Sequence, residues 1–116
     1  GIGKGAATRA SAAYWRSADV AITDFAISAS GTDTVIIKNN LRNTITVNDL
    51  IINSVDLAGG EVLSSGATRT YTGAVAACTA GQTFSYPVNI YYQDSITSAN
   101  YNFSGEGTRL EGVCAS

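Results

Sequence analysis

Two runs of β-branched residues separated by a polar interruption constrain the fold more than any other feature. Residues 33–57 read DTVIIKNNLRNTITVNDLIINSVDL, and the run of residues 44–47 alternates strictly between Thr and an aliphatic residue. Alternation of this kind favours strands over helices. The residues between the runs, Asn39–Asn43, tolerate turns and left-handed backbone. The stretch therefore predicts two strands joined by a polar corner, as either a β-arch or a hairpin.

The first strand is predicted over Val20–Ser28, where the apolar positions change parity. Val20 and Ile22 share one parity, whereas Phe25 and Ile27 share the other. A strand keeps one face buried only if its apolar residues stay two apart, so a parity change needs an inserted residue or a change of sheet. We expect a bulge near Thr23–Asp24, or a strand that crosses between two sheets.

The longest predicted strand is Thr83–Gln93, and it contains Pro87, the single proline of the chain. Proline cannot donate a ladder hydrogen bond. The strand therefore lies at an edge there, contains a bulge, or begins its pairing after Pro87. Val88–Phe103 is predicted to form a hairpin, and Thr68–Thr72, with few apolar side chains, a short edge strand.

Residues 6–18 form the one segment compatible with a helix, being Ala-rich without Gly or Pro. Its apolar stripe is too small for a buried core helix; the stripe consists of Ala6, Ala10, Ala13 and Tyr14. The segment resembles the last turns of a longer helix whose apolar part lies upstream, and Gly1–Gly5 resembles a tag remnant. We divide the chain into a linker and helix stub, residues 1–18, and a β domain, residues 19–116. Trp15 is expected to pack against the sheet at their junction.

Counting the runs gives about seven short strands after this helix, with spacings near those of an immunoglobulin-like sandwich. The predicted fold class is therefore an all-β, Ig-like antiparallel β-sandwich with a short N-terminal helix stub. At 116 residues the chain can bury a core of its own as one domain.

Charge is sparse along the chain. Charged residues make up 14% of it, against a usual value of about 25%. A surface covered mainly by Ser, Thr, Asn, Gly and Ala is typical of secreted and cell-surface β domains. Seven basic and nine acidic residues are spread singly and give a net charge of −2, which provides no footprint for nucleic acid or anionic lipid. The apolar runs are also far shorter than the ~20 residues that a membrane helix needs.

The two cysteines, Cys78 and Cys114, are the only thiols, and the chain has no His. A zinc site would then need two carboxylates as further ligands, which is a rare donor set. A disulfide would tie the C-terminal end to the loop after Tyr71, whereas free buried thiols remain the alternative. A disulfide would imply an oxidising compartment or a hyperthermophile.

The absence of His also removes Ser-His-Asp and Cys-His catalysis. Two carboxylate pairs, Asp49 with Asp56 and Glu106 with Glu111, could in principle flank a glycosidic bond. All four residues lie beside predicted turns or on polar parities, where solvated carboxylates are usual. Four aspartates could bind calcium through loop oxygens, although the EF-hand spacing is absent; they are Asp19, Asp24, Asp33 and Asp49. We therefore predict a protein without catalytic residues, cofactor or metal.

Two surface features remain. Asn102-Phe103-Ser104 matches the N-glycosylation sequon, with a plain strand residue as the alternative. Tyr91 has the parity opposite to that of Tyr92 and is expected to be exposed. Tyr91 and Tyr101 are accordingly predicted as surface-contact residues.

The order of these elements resembles the globular domain of archaeal type IV pilins and archaellin-like subunits. The resemblance rests on Tyr14–Asn53, with a helix end, an aromatic-Arg-Ser motif, an apolar strand, the Lys38-Asn39-Asn40 corner and the Thr44–Val47 strand. It implies an extracellular cell-surface filament in which an N-terminal apolar helix packs with other copies and this domain forms the outer surface, for adhesion. The alternative is a carbohydrate- or ligand-binding sandwich module of a larger secreted protein, for which coplanar Tyr91 and Tyr101 would be evidence.

Overall fold

The computed structural model describes residues 2–75 and 78–116, with residues 2–7 as backbone only. A helix, α1 (Ile2–Ser17), precedes the strands, and a short 3-10 helix occupies Gly105–Gly107. The described part contains ten strands: β1 (Val20–Ala26), β2 (Asp33–Asn39), β3 (Ile45–Ile52), β4 (Val55–Asp56), β5 (Glu61–Leu63), β6 (Thr68–Gly73), β7 (Thr83–Tyr86), β8 (Val88–Asp94), β9 (Asn100–Phe103) and β10 (Leu110–Val113). The predicted all-β class with an N-terminal helix is confirmed, with ten strands rather than about seven.

The strands form three antiparallel sheets that share one core. β1, β2 and β6 form the first, β4, β3, β8 and β9 with β5 on β3 form the second, and β10 pairs with β7. Burial alternates along β2 and β8, and β3 also has one buried face. All three sheets contribute buried side chains to a single apolar cluster. The two larger sheets therefore pack in the sandwich-like arrangement that the sequence predicts.

The polar corner is an arch, because β2 belongs to the first sheet and β3 to the second. Asn39 is fully buried at this crossing. Its Nδ2 donates to the carbonyl oxygens of Asn43 at 2.9 Å and Leu63 at 3.0 Å, and its Oδ1 accepts from the N–H of Leu41 at 2.9 Å. A buried amide is costly unless it is satisfied, so these three bonds fix the corner while allowing it to be buried.

The bulge in β1 is confirmed, because its register with β2 shifts between Ile22 and Asp24. Val20 and Ile22 are buried before the bulge, whereas Phe25 is only half-buried after it. The inserted residue thus explains the parity change without moving the strand into another sheet.

Pro87 divides the predicted long strand into two strands in different sheets. β7 before it pairs with β10, and β8 after it pairs with β3 and β9. The Pro87 carbonyl accepts from the N–H of Asn53 at 3.0 Å. Pairing with β3 begins after Pro87, which was one of the alternatives predicted from the sequence. The β7–β10 pair before Pro87 was not predicted. The β8–β9 hairpin and the edge position of β6 are both confirmed.

The helix begins at Ile2 rather than at Ala6. Residues 2–5, which were expected to be a linker, are therefore helical, whereas Gly1 lies outside the described residues. Ala10 and Ala13 of the apolar stripe are exposed, in agreement with a stripe too small for a buried core helix. The buried residues are instead Ser11, Trp15 and Ala18, at spacings of four and three along one side. That side packs on β1 and β10.

Candidate functional site

The attachment of α1 to the sheet depends on two side chains. Ser11 Oγ donates to the carbonyl oxygen of Arg109 at 2.7 Å and accepts from the N–H of Glu111 at 3.0 Å. Trp15 Nε1 donates to the same Arg109 oxygen at 3.2 Å. Trp15 is fully buried and packs edge-on against Phe103, with ring centroids 5.8 Å apart. The helix thus satisfies backbone groups beside β10 that a neighbouring strand would otherwise bond.

The packing of Trp15 against the sheet was predicted from the sequence, whereas the role of Ser11 was not. The available signal was a serine placed four residues before the only Trp, on the same side of an Ala-rich helix. Asp33 was also missed as a structural residue. It is buried, and its two oxygens accept from the N–H groups of Ser28 at 2.7 Å and Val75 at 2.8 Å. Asp33 therefore holds two loops together.

Cys78 and Cys114 form the predicted disulfide, with their Cα atoms 5.9 Å apart. Cys114 is buried, and its N–H and carbonyl bond to Gln82 and Gly81 at 2.8 and 2.9 Å. The bridge joins the C-terminal end to the loop between β6 and β7, in which residues 76 and 77 lie outside the described part of the chain. The alternative of free thiols is therefore wrong.

Tyr91 and Tyr101 are both exposed, at 39% and 48%. They lie on neighbouring strands, but Tyr91 is opposite Asn102 and Tyr101 is opposite Tyr92. Because directly opposed residues share a sheet face, Tyr91 and Tyr101 lie on different faces. Tyr101 stacks on Tyr92, with centroids 5.2 Å apart and rings 23° from parallel. A coplanar platform of Tyr91 and Tyr101 is not formed.

A cavity of about 410 Å³ nevertheless borders both tyrosines at the β9 side of the second sheet. Its polar lining comes from the residues Asn48, Asp49, Asn100 and Asn102. Aromatic rings combined with amide and carboxylate groups can contact the apolar face and the hydroxyl groups of a small polar ligand.

Asn102 is exposed at the centre of β9, directly opposite Tyr91. It precedes Ser104 by two residues, as the sequon requires. Among the strands of residues 2–75 and 78–116, β9 has a neighbour on one side only. The side chain is therefore accessible to a modifying enzyme, and glycosylation remains a prediction.

The structure brings Asp49 and Asp56 into contact. A hydrogen bond with Asp56 is the largest cause that raises the pKa of Asp49, followed by desolvation and the negative charge of Asp56. Desolvation acts to raise the pKa of Asp56, but bonds from Asp49 and from the N–H groups of Ala58 and Leu50 outweigh it and lower that pKa. Glycosidases hold their carboxylates ~5–9.5 Å apart with the substrate between them. A pair in direct contact leaves no such space.

Within residues 2–75 and 78–116, no group of three or more His, Cys, Asp or Glu side chains is placed to hold a metal ion. Asp33, one of the candidate calcium ligands, already uses both oxygens for backbone N–H groups.

No family model matches the chain, and no curated protein sequence matches it either. Among the described residues, no helix has the length and the hydropathy that crossing a bilayer requires.

Proposed function

We propose that the chain is the outer globular domain of a structural subunit in an extracellular, type IV pilus-like filament, where it mediates surface contact or adhesion. The observation that carries the proposal is the attachment of α1. One side of the helix is fixed to the sandwich through Ser11 and Trp15, and the opposite side, including Ala10, Ala13 and Arg16, is exposed. A helix fixed in this way holds the β domain in one orientation relative to the assembly in which the helix packs.

The proposed partner is another copy of the same subunit, bound through the N-terminal helix. Small side chains let two helices approach closely, and Ala10 and Ala13 supply such a surface on the exposed side of α1. The resemblance to archaeal pilins implies the same polarity, with helices inside the filament and the β domain outside.

The disulfide and the surface composition support an extracellular location. A Cys78–Cys114 bridge persists in oxidising compartments. Few surface charges and many Ser, Thr and Asn side chains are typical of secreted β domains. No catalytic step is part of the proposal.

Immunogold labelling with an antibody against the domain tests this function. We expect gold particles along surface filaments of the source cells and none after deletion of the gene. Unchanged filaments in the deletion strain would refute it. A sharper arm uses Ala13→Trp in the full gene, which should block assembly, with the exposed Thr72→Trp on β6 as the matched control. Both isolated domains should keep their melting temperature.

Binding of a carbohydrate is the second candidate, and the cavity beside Tyr91 favours it. The placement of Tyr91 and Tyr101 on different sheet faces weighs against it, because the two rings do not form a coplanar pair. Titration of ¹⁵N-labelled domain with neutral oligosaccharides should shift the amide signals of Asn102 and Tyr91, and Tyr91→Ala should abolish the shifts. The absence of shifts at millimolar sugar would exclude this function.

A further inference from the structure

The free edge of β9 differs from the edges of β1, β6, β7 and β10. In the part of the chain that the structure describes, β9 pairs with β8 on one side only. Alternate residues of an edge strand direct their N–H and C=O groups away from the sheet. The sequence Asn100-Tyr101-Asn102-Phe103 contains neither a charged residue nor a proline, both of which hinder the pairing of a further strand. Its first three residues are exposed.

The edges of β1, β6, β7 and β10 carry devices that hinder pairing. Ser11 of α1 covers the edge at β10. On β7, Arg109 donates through Nη2 to the carbonyl oxygen of Ser85 at 2.8 Å and through Nε to its Oγ at 2.9 Å. β1 has a bulge, and β6 carries the exposed cation Arg69. Native sheets protect their edges by such means, and none of these four devices occurs on β9 among the described residues.

Two cavities lie beside β9 where an added strand would place its side chains. A cavity of about 420 Å³ borders Tyr101, and another of about 170 Å³ borders Phe103. Tyr101 and Phe103 are two residues apart and therefore share one sheet face. Side chains two residues apart in an added strand have the same spacing, so one could enter each cavity.

The two cavities are acidic. Asp19 lines both of them, Asp94 lines the larger and Glu106 lines the smaller, against one cation, Arg42, in the larger. The N–H of Thr97, followed by the Asn43 amide, lowers the pKa of Asp94, which keeps this carboxylate ionised at neutral pH. Basic side chains complement this charge.

We propose that β9 binds an extended peptide segment of another protein by β-strand addition, and that two basic side chains two residues apart enter the cavities around Asp19. These 116 residues do not themselves supply the segment, because no two of their Lys or Arg residues are two apart. The proposal names a partner for surface contact and does not require that the domain assemble into filaments.

Titration of the ¹⁵N-labelled protein with the peptide acetyl-TVKVKVT-amide tests the proposal, with acetyl-TVEVEVT-amide as the control. The lysine peptide should produce saturable amide shifts centred on Asn100 and Asn102 and slow their hydrogen exchange. The glutamate peptide should not. Equal shifts with both peptides, shifts centred on another edge such as β6, or no shifts would each overturn it.

Two charge variants test the role of the cavities. Asp19→Asn and Glu106→Gln alter exposed side chains and should each weaken binding of the lysine peptide about two- to fivefold, the size expected for loss of one exposed ion pair. Asp24→Asn removes an exposed carboxylate on β1 outside both cavities and should leave the affinity unchanged. Unchanged affinity in both cavity variants would refute the assignment of the basic side chains to these cavities.

Discussion

Trp15 packs so closely over Gly105 that a Cβ atom at Gly105 would lie 2.6 Å from Cζ2 of Trp15 and 2.8 Å from its Cη2. The backbone of Gly105 also has a φ of +75°, which side chains rarely permit. Two independent restrictions therefore act on one residue, and both arise where α1 meets the loop before β10. The helix attachment depends on this loop as much as on the helix.

Gly105→Ala should destabilise the protein strongly. Left-handed backbone costs about 1–2 kcal/mol for a residue with a Cβ, and overpacking against the indole adds about 1–3 kcal/mol. Gly107→Ala is the matched control, because Gly107 has a φ of +89° and open space at its Cβ, so it should lose only the backbone part. Thermal denaturation followed by circular dichroism measures both. Equal losses in the two variants would show that contact with Trp15 does not limit position 105.

Ser11→Ala should cost about 1–3 kcal/mol of unfolding free energy, because it leaves the N–H of Glu111 without its partner and removes one of the two donors to the Arg109 carbonyl oxygen. Ser17→Ala is the control. Ser17 is exposed, and its hydroxyl bonds only within α1, to carbonyls of Ala13 and Tyr14. That variant should change stability by less than about 0.5 kcal/mol. Urea denaturation measures both, and a similar midpoint for the two variants would contradict the role of Ser11.

Local features of the strands could be predicted from the sequence. The change of apolar parity after Ile22 correctly gave a bulge, because strand alternation is a property of neighbouring residues. The helix face could not be predicted in this way. Ser11 is polar, and its partners are backbone groups of Arg109 and Glu111, far away along the chain. Hydrophobic periodicity contains no information about such a contact.

Which strands pair with each other could also not be predicted from the sequence. Residues 83–93 read as one strand because both halves alternate, and only the tertiary structure shows β7 on β10 and β8 on β3. The same limit applies to the candidate site. The exposure of Tyr91 followed from its parity, but its separation from Tyr101 depends on the β8–β9 register, which places Tyr101 opposite Tyr92. Register is set by the turn between the strands and by burial, not by either strand alone.

Reduction of Cys78–Cys114 should destabilise the protein by about 2–5 kcal/mol, since the bridge restricts a long loop of the unfolded chain. The reduced protein should also show a steeper dependence of unfolding free energy on urea, because an uncrosslinked chain exposes more surface. Denaturation curves with and without reductant measure both quantities, with thiol alkylation and mass measurement confirming complete reduction. An unchanged midpoint after complete reduction would show that the bridge does not contribute to stability.

Asp49→Asn should stabilise the protein at neutral pH. The hydrogen bond with Asp56 raises the pKa of Asp49, so the stability that it contributes is present below its unfolded pKa of ~3.9 and is lost as the pH rises through its folded value. The lowered pKa of Asp56 works in the opposite direction, and its contribution is lost as the pH falls through its folded value. An Asn amide at position 49 can donate to Asp56 at every pH. The melting temperature of the variant should therefore exceed that of the wild type at pH 7, and the difference should shrink towards zero below about pH 4.

The control for this prediction is Asp24→Asn, which removes one negative charge from an exposed position on β1 in the other sheet. Both variants change the net charge from −2 to −1, so a general effect of net charge would stabilise them equally. A gain that is confined to Asp49→Asn and disappears on acidification would arise from the contact between Asp49 and Asp56. The same gain in both variants, or a gain in Asp49→Asn that persists at pH 3, would instead show that the two carboxylates do not share a proton in the folded protein.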